Sequence, residues 1–354
     1  MKKRTTPTRR QEFEWISRLR GWIGKTSKSR FPVGVGDDAA AWLPSPGHAA
    51  VMTVDAMVES VHFRRDWLTW REVGRRAVAV SVSDLAAMGA RPRCLLASVV
   101  LEDGTSTGDF SALQRGLTAA ARSYDATLIG GNLSSGRMAL HITAMGECLP
   151  ELLVRRSGAR LGDTIWVTGS PGLAALGLVS YQREMKRRVP TVLARARRAF
   201  RQPIARVKEA MHIVRRLQPH AMIDVSDGLA GDIAHILAES GARRRRPMAV
   251  ELDGGALATT RGLAPAARVL GKDAVAAALY GGEDYELCFT VAAGSISKRD
   301  QSTFAKRFGI ALTCVGRVVS GSESVVVMSQ NSRQSVDLEG GWTHFSGHSG
   351  RRSR

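Results

Sequence analysis

The sequence has little of what would place this protein in a membrane or bind a metal through sulfur. No apolar run reaches the roughly 18 residues of a membrane-spanning helix. The basic start at residues 1–4 is not followed by the apolar segment of a signal peptide. The four cysteines are widely spaced and form no Cys-x-x-Cys pair. We therefore expect a cytoplasmic protein whose cysteines are buried apolar side chains in a reducing compartment.

Aromatic residues are also scarce, at 6% of the chain with four tyrosines, although the formal net charge is +19. Arginines are spread over residues 1–30, 184–201, 243–246 and 351–354, without interleaved aromatic side chains or zinc-finger spacing. Binding to nucleic acid usually needs aromatic or zinc-finger features of this kind. Solvated faces and tails explain most of the charge, with steering of anionic substrates as a second effect. A non-catalytic, basic nucleic-acid-binding protein remains an alternative that rests on the charge alone.

The 354 residues suffice for two domains with cores of their own. Strands at 50–56, 94–101, 126–131 and 139–147 alternate with helices at 71–88 and 108–123, and the composition changes near Pro150. The predicted fold class is α/β (α+β) with two domains. The predicted divisions are a flexible basic tail at 1–10, an N-terminal domain at 11–150 that begins with a helix at 11–22, a C-terminal α/β domain at 151–345, and a disordered basic tail at 346–354.

Acidic residues recur at the ends of apolar runs beside Gly, Ser or Ala. One such aspartate is usually a turn or a helix cap. Several together at the rim of a core repel one another, unless divalent cations lie between them. Carboxylates without a histidine or thiolate cluster favour Mg²⁺, which keeps positions for water and phosphates. The sequence therefore predicts phosphate chemistry at these positions: Asp37, Asp38, Asp55, Asp84, Asp224 and Asp227.

Two glycine-rich segments could offer backbone N–H groups to a phosphate. The first, at 130–136, follows the apolar residues Leu128 and Ile129. The second, at 169–172, precedes an apolar stretch, although a structural turn is the better interpretation there. Neither segment is a Walker A loop or a Gly-x-Gly-x-x-Gly motif.

In this order the motifs of residues 11–345 resemble the thiamine-monophosphate kinase family, within the superfamily of aminoimidazole ribonucleotide synthetase. The runs Ser-Asp-Leu-Ala-Ala-Met-Gly-Ala at 83–90 and Gly-Gly-Glu-Asp-Tyr-Glu-Leu at 281–287 are the most specific. The other motifs are Gly36-Asp37-Asp38-Ala39, Val54-Asp55 through Val61-His62-Phe63, Gly130-Gly131-Asn132, Ile223-Asp224-Val225-Ser226-Asp227-Gly228-Leu229 and Trp342-Thr343-His344-Phe345.

This resemblance implies a homodimer joined through the N-terminal sheets, which uses ATP and several Mg²⁺ ions to convert thiamine monophosphate to thiamine diphosphate. No general base is implied. The implied magnesium ligands are Asp37, Thr53, Val54, Asp55, Asp84, Asn132, Asp224 and Asp227. The implied ATP contacts are Gly131, Asn132, Arg156 and Ser226, and the implied thiamine contacts are His62, Glu283 and Trp342.

The chain departs from the family pattern at two positions. Asn132 stands where members often have Asp, and Val54 where they often have Thr. Because Asn keeps an oxygen ligand but carries no charge, we expect the strength of one metal site to differ from that of other members. The nearest alternative is another ATP-using enzyme of the superfamily. Selenophosphate synthetase and the hydrogenase-maturation carbamoyl dehydratase would each need a reactive cysteine that these motifs do not contain.

Overall fold

The structure is a computed structural model that describes residues 21, 29–35, 39–183, 190–241, 247–321, 325–329 and 332–337. Some sequence predictions lie outside these residues. They concern the helix at 11–22 except Gly21, both tails, Asp37 with Asp38, the basic runs at 184–189 and 243–246, and Trp342.

A four-stranded sheet is formed by residues 49–148. Its elements are β1 (Ala49–Val58), α1 (Trp70–Ala87), β2 (Arg91–Leu101), α2 (Thr107–Ser123), β3 (Thr127–Ser135) and β4 (Ala139–Cys148). The spatial order is β1-β4-β2-β3, in which β2 and β3 are parallel and the other neighbours antiparallel. The predicted alternation of strands and helices is confirmed. However, β3 continues through the glycine-rich segment to Ser135 instead of ending at 131.

The later part of the chain forms a second sheet, of seven strands among the described residues, in the order β11-β10-β7-β9-β5-β8-β6. Only β10 and β7 are parallel neighbours. The strands are β5 (Thr164–Thr168), β6 (Ala221–Val225), β7 (Met248–Asp253), β8 (Glu286–Val291), β9 (Leu312–Ser320), β10 (Val325–Ser329) and β11 (Ser332–Ser335). The helices are α3 (Leu173–Gln182), α4 (Thr191–Arg201), α5 (Val207–His212), α6 (Leu229–Gly241), α7 (Gly254–Ala258), α8 (Leu263–Val269), α9 (Ala274–Tyr280) and α10 (Lys298–Phe308).

Helix α1 has well-defined ends that follow from its sequence. At its start, the side chain of Thr69 accepts from the Glu72 N–H and the Glu72 carboxylate accepts from the Thr69 N–H, which is a capping box. At its end, Gly89 has φ +70°, and the Ala90 N–H donates to the Leu85 carbonyl at 2.8 Å. A Cβ on Gly89 would lie 2.8 Å from a backbone oxygen. The helix therefore ends at the motif that the sequence identified.

One apolar cluster joins the two sheets. It contains Val82 of α1, Ile142 of β4 and Phe289 of β8. Helix α1 packs against β1 and β4 of the first sheet and against β6 of the second. Side chains on α1 can therefore reach strands of both sheets. Among the described residues, no helix is long and apolar enough to cross a bilayer.

The outer face of the first sheet, on the side away from α1, is partly uncovered. Met52 and Val54 of β1 are 65% and 63% exposed. Phe31 and Trp42 pack with Cys94 and Ile129 over another part of that face. An exposed apolar strip therefore remains along β1, which is an edge strand.

The cysteines are apolar core residues, as predicted. Cys94, Cys148 and Cys288 are buried, and Cys314 is partly buried. Burial raises the pKa of all four thiols, to about 12 for Cys94. Each sheet holds two of them. None forms a disulfide.

Candidate active site

A cleft of about 860 Å³ lies between the first sheet and the β6 end of the second. Its walls are the end of β1 with the segment that follows, one face of α1, the turn after β6, and residues 280–285. Carboxylates dominate the polar groups of this acidic cleft. They are Asp55, Asp84, Asp224, Asp227 and Glu283.

The alternation of side chains along β1 turns Thr53 and Asp55 toward α1, where Asp84 lies. The Thr53 hydroxyl donates to Asp84 Oδ2 at 2.5 Å. Asp55 Oδ2 is buried and has no hydrogen-bond partner among the described residues. Burial, and then repulsion from Asp84, raises the pKa of Asp55 to about 6. These neighbouring carboxylates are therefore short of compensating positive charge.

Asp224 lies in β6, where its backbone pairs with Leu287 of β8. Its side chain is only 4% exposed. Burial and the nearby Asp84 raise the pKa of Asp224 to about 7, and the guanidinium of Arg156 opposes that shift. A second cavity of about 460 Å³ is lined by Asp84, Asp224 and Arg156. The buried Asp224 and the partly buried Asp84 thus line both the larger and the smaller cavity.

The turn after β6 is held from inside the protein. Asp232 of α6 is 2% exposed and accepts from the Ser226 N–H at 3.2 Å. Gly228 has φ +120°, and a Cβ there would lie 2.8 Å from the Leu279 carbonyl oxygen. Ser226 and Asp227 are consequently fixed at the rim of the cleft, where the Asp227 side chain is exposed.

The acids of the motif at 281–287 have separate structural roles. Asp284 accepts from the N–H groups of Gly172 and Ala174, the latter at 2.9 Å, and so caps the start of α3. Glu286 is buried and bonds to Thr168 and Arg206, each at 2.7 Å. The candidate anion site at 169–172 is therefore ruled out, because a carboxylate of the protein already occupies that helix end. The structural turn was the correct interpretation.

Glu283 is the acid of this motif that lines the cleft. It has φ +75°, in the left-handed region, and its N–H donates to the Ser226 carbonyl at 2.7 Å. Its Oε2 accepts from the Tyr285 hydroxyl at 2.7 Å and from the Arg76 guanidinium. Its position is therefore fixed through both its backbone and its side chain.

His62 lines the same cleft, in the segment after β1. Its Nδ1 accepts from the Val58 N–H at 3.0 Å. A nitrogen that accepts carries no proton, so the neutral ring has its proton on Nε2. Trp342, the third residue predicted to contact thiamine, lies outside the described residues.

Gly131 and Asn132 do not line the cleft. They lie in β3, at the opposite edge of the first sheet from β1, about 14 Å away for three strand spacings. Gly131 is required by packing, because a Cβ there would lie 2.0 Å from the Ala97 carbonyl oxygen. The segment at 130–135 is thus part of a strand and not a loop. Asn132 is exposed on it.

A divalent metal is compatible with the chemistry of the cleft. Its donors are carboxylates with raised pKa values, and one carboxylate oxygen is buried without a partner. In the part of the chain that the structure describes, no group of three Asp, Glu, His or Cys side chains could hold a metal ion by itself. Mg²⁺ commonly binds through one or two carboxylates plus water and phosphates. The donor set therefore fits Mg²⁺ that is bound together with a phosphate ligand.

Sequence reasoning missed Arg76, which is 1% exposed and lines the cleft. Its neighbour Arg75 is exposed, and arginine is usually exposed on a helix surface. The spacing of Arg76, Val80 and Asp84 was the available signal, since residues four apart lie on one face of a helix. All three line the cleft.

Comparison with known proteins finds relatives that cover nearly the whole chain. The family model described as AIR synthase related protein, N-terminal domain, matches residues 36–148, which contain the first sheet. The thiamine-monophosphate kinase of Salmonella typhimurium is 31% identical over 336 residues, which are 94% of this chain and 98% of the relative.

Solved structures extend this likeness to three dimensions. The thiamine-monophosphate kinase of Stenotrophomonas maltophilia has a TM-score of 0.78 and 33% identity, with 91% of this chain and 98% of that chain covered. A structure described as AaThiL complexed with AMPPCP and TMP has a TM-score of 0.70 and 27% identity, with 83% and 89% covered.

Proposed function

This chain belongs to the thiamine-monophosphate kinase family, and we propose on that premise that it transfers the terminal phosphoryl group of ATP to thiamine monophosphate, giving thiamine diphosphate. The enzyme is then a phosphotransferase whose acceptor is itself a phosphate. The observation that carries the proposal is the charge of the cleft. Since ATP is a cytoplasmic nucleotide, the proposed location is the cytoplasm.

The described cleft has no uncompensated arginine to receive phosphates. Two arginines line it, and each is paired with a carboxylate. Arg64 makes two hydrogen bonds to Asp66, at 3.0 and 2.7 Å, and Arg76 bonds to Glu283. Two like charges 4 Å apart repel by about 4 kcal/mol at an effective dielectric near 20. Phosphates can enter such an acidic cleft only together with cations.

We assign those cations as several Mg²⁺ ions, which would neutralise the phosphate charge. Asp84 and Asp224 are the central ligands of the proposal, because they border both cavities. The remaining proposed ligands are Asp37, Thr53, Val54 through its carbonyl, Asp55 and Asp227, with Asn132 supplied by the second copy of a homodimer because it lies at the far edge of the sheet.

The smaller cavity suits the phosphates of ATP, since Arg156 lies there opposite Asp84 and Asp224. Ser226 at the rim of the larger cleft completes the nucleotide contacts proposed within this chain. Gly131 and Asn132 lie at the far edge of the first sheet, so we propose that they contact the nucleotide bound by the other copy in a homodimer. The larger cleft takes the acceptor, with His62, Glu283 and Trp342 toward the thiamine rings. An acidic side chain such as Glu283 suits a ligand with a cationic thiazolium ring.

The proposed transfer needs no general base. A phosphate monoester has its second pKa near about 6, so the attacking oxygen is already largely anionic at neutral pH. The task of the protein is to hold two polyanions in line and to compensate their charge. The carboxylates at the ends of β1, α1 and β6 supply fixed positions for this purpose.

We also propose a homodimer formed through the first sheets. Met52 and Val54 leave an apolar strip exposed along β1. Both β1 and β3 are edge strands, so each has one side without a neighbour in the described chain. A second copy that pairs these edges would cover the strip. It would also bring Asn132 of the partner subunit, on the edge of β3, toward the β1 edge that carries Asp55.

The proposal is tested by incubating the purified protein with ATP, Mg²⁺ and thiamine monophosphate and measuring thiamine diphosphate by chromatography. We expect Asp84→Asn to lower kcat by at least about 100-fold, since it removes a charge at the reacting phosphates. Asp125→Asn is the matched control, because Asp125 is exposed and lies away from the cleft. Wild-type turnover by Asp84→Asn would refute the metal arrangement. Absence of thiamine diphosphate with the wild type would refute the function.

A further inference from the structure

Arg76 is a buried charge at the base of the acidic cleft. It belongs to α1, is 1% exposed, and lines the cleft from below. A buried guanidinium is unfavourable unless it is paired and hydrogen-bonded. Here Nη1 donates to the Phe200 carbonyl and Nη2 to Glu283 Oε2, and the Phe200 ring lies 4.8 Å from the guanidinium carbon. The side chain is therefore held on three sides.

The partner of Arg76 in the cleft is held in one orientation. Glu283 Oε2 accepts from both Arg76 and the Tyr285 hydroxyl. No hydrogen-bond donor to Oε1 is found among the described residues, and the Glu283 side chain is 24% exposed. The backbone at Glu283 and two residues later is also constrained, because Glu283 and Tyr285 have φ values of +75° and +52°. Such conformations persist only where the surroundings impose them. Glu283 thus offers one carboxylate oxygen to the cleft at a fixed point.

Helix α1 links this point to the proposed phosphate site. Arg76 and Asp84 are eight residues apart, about 12 Å along a helix axis, with Val80 between them on the same face. All three line the cleft. A rigid, capped helix therefore sets the distance between the oxygen that Glu283 presents and the carboxylate of Asp84.

We propose that Arg76 is a positioning residue that holds Glu283 toward the cationic ring of the acceptor. Arg76 thereby determines how tightly the end of the acceptor that carries no phosphate is bound. This inference rests on the proposed function. Arg76 does not contact the transferred phosphoryl group in this proposal. The ligand class that this site would accept is an organic cation with a phosphate group, in which the two charges are separated by the distance that α1 sets between Glu283 and Asp84. A free phosphate monoester without the cation would gain nothing from Arg76.

The test compares Arg76→Met and Arg76→Lys with Arg75→Met, a matched control at the exposed neighbouring position. Arg76→Met should raise KM for thiamine monophosphate by at least about tenfold, as expected for the loss of one aligned charge-assisted contact. KM for ATP and kcat should change less than about twofold, because the interaction concerns only acceptor binding. Arg76→Lys, which keeps the charge and one donor, should recover part of the loss. Arg75→Met should behave as the wild type.

A double-variant cycle separates positioning from a general structural role. Glu283→Gln should raise the same KM, and Arg76→Met in the Glu283→Gln background should add less than about twofold. An additive effect, or an equal change in both KM values and kcat, would overturn the inference. If Arg76→Met alone does not fold, the double variant, which leaves no unpaired charge, and Arg76→Lys still give the comparison.

The two proposals can fail separately. For each variant, the affinity for thiamine monophosphate is measured by titration calorimetry, and turnover is measured separately. If the wild type forms thiamine diphosphate but Arg76→Met binds the acceptor as the wild type does, only the role of Arg76 is refuted. If the wild type binds thiamine monophosphate without turnover and Arg76→Met loses that binding, the role stands and the function is wrong. If the wild type neither binds nor turns over, both are wrong.

Discussion

Replacing Asp224 by Asn should make the metal-free protein more stable and the enzyme almost inactive. The Asp224 carboxylate is 4% exposed, and burial and Asp84 raise its pKa to about 7. The folded state therefore holds this proton at pH values where the unfolded chain has lost it. The corresponding stability is fully present below about pH 4 and is lost as the pH rises through about 7.

The magnitude follows from the same pKa. A change from the ordinary 3.8 to about 7 corresponds to about 4 kcal/mol, at about 1.4 kcal/mol per pH unit. Burial is the largest cause and repulsion from Asp84 the second. Because the carboxylates titrate together and a buried amide also has a cost, we expect roughly half of this, about 2 kcal/mol, when the charge is removed. Asp224→Asn should thus match the wild type at about pH 4 and exceed its free energy of unfolding by about 2 kcal/mol at about pH 8.

The assay is urea unfolding across this pH range, with EDTA present and again with Mg²⁺. Mg²⁺ with ATP should stabilise the wild type more than the variant, because binding to the folded state adds stability by mass action. Turnover should fall by at least about 100-fold. A variant that is equally or less stable than the wild type at about pH 8 without metal would refute the view that the buried charge of Asp224 opposes folding.

Three further outcomes are expected. Met52→Glu should shift the protein from dimer to monomer in light scattering, since it places a charge on the exposed apolar strip, and an unchanged mass would contradict the proposed interface. Gly131→Ala should lower the free energy of unfolding by about 2–4 kcal/mol, because its Cβ would lie 2.0 Å from the Ala97 carbonyl oxygen. Thermal melting measures this change, and an unchanged melting temperature would contradict the close packing at Gly131. Asn132→Asp should lower the Mg²⁺ concentration for half-maximal turnover, and an identical magnesium titration would exclude Asn132 from the metal site.

The sequence predicted the elements well where local signals agreed. The strand predicted at 94–101 lies within β2 and ends at the predicted residue. Helix α1 is flanked by a capping box and a glycine, and its predicted range of 71–88 differs from the structure by one residue at each end. Asp55, Asp84 and Asp224 were selected because they end apolar runs, and all three line the cleft.

What the sequence could not show is the consequence of strand order. Consecutive motifs suggested one site, but the order β1-β4-β2-β3 places Asn132 at the far edge from Asp55. The glycine-rich pattern around Gly131 suggested a phosphate-binding loop. In the structure Gly131 lies in a strand, where its missing side chain lets the backbone of β3 approach that of Ala97. The burial of Arg76 depends on Glu283, which lies more than 200 residues later in the chain. Such pairings are set by tertiary packing and leave no local pattern.

The four cysteines, three buried and one partly buried, can report local opening of the protein. Cys94 and Cys148 belong to the first sheet, and Cys288 and Cys314 to the second. Their raised pKa values keep the thiols protonated and unreactive while the chain is folded. An alkylating reagent applied during partial denaturation would therefore mark whichever sheet separates first. Mass spectrometry of the labelled peptides would give the order in which the two sheets open without any engineered labelling site.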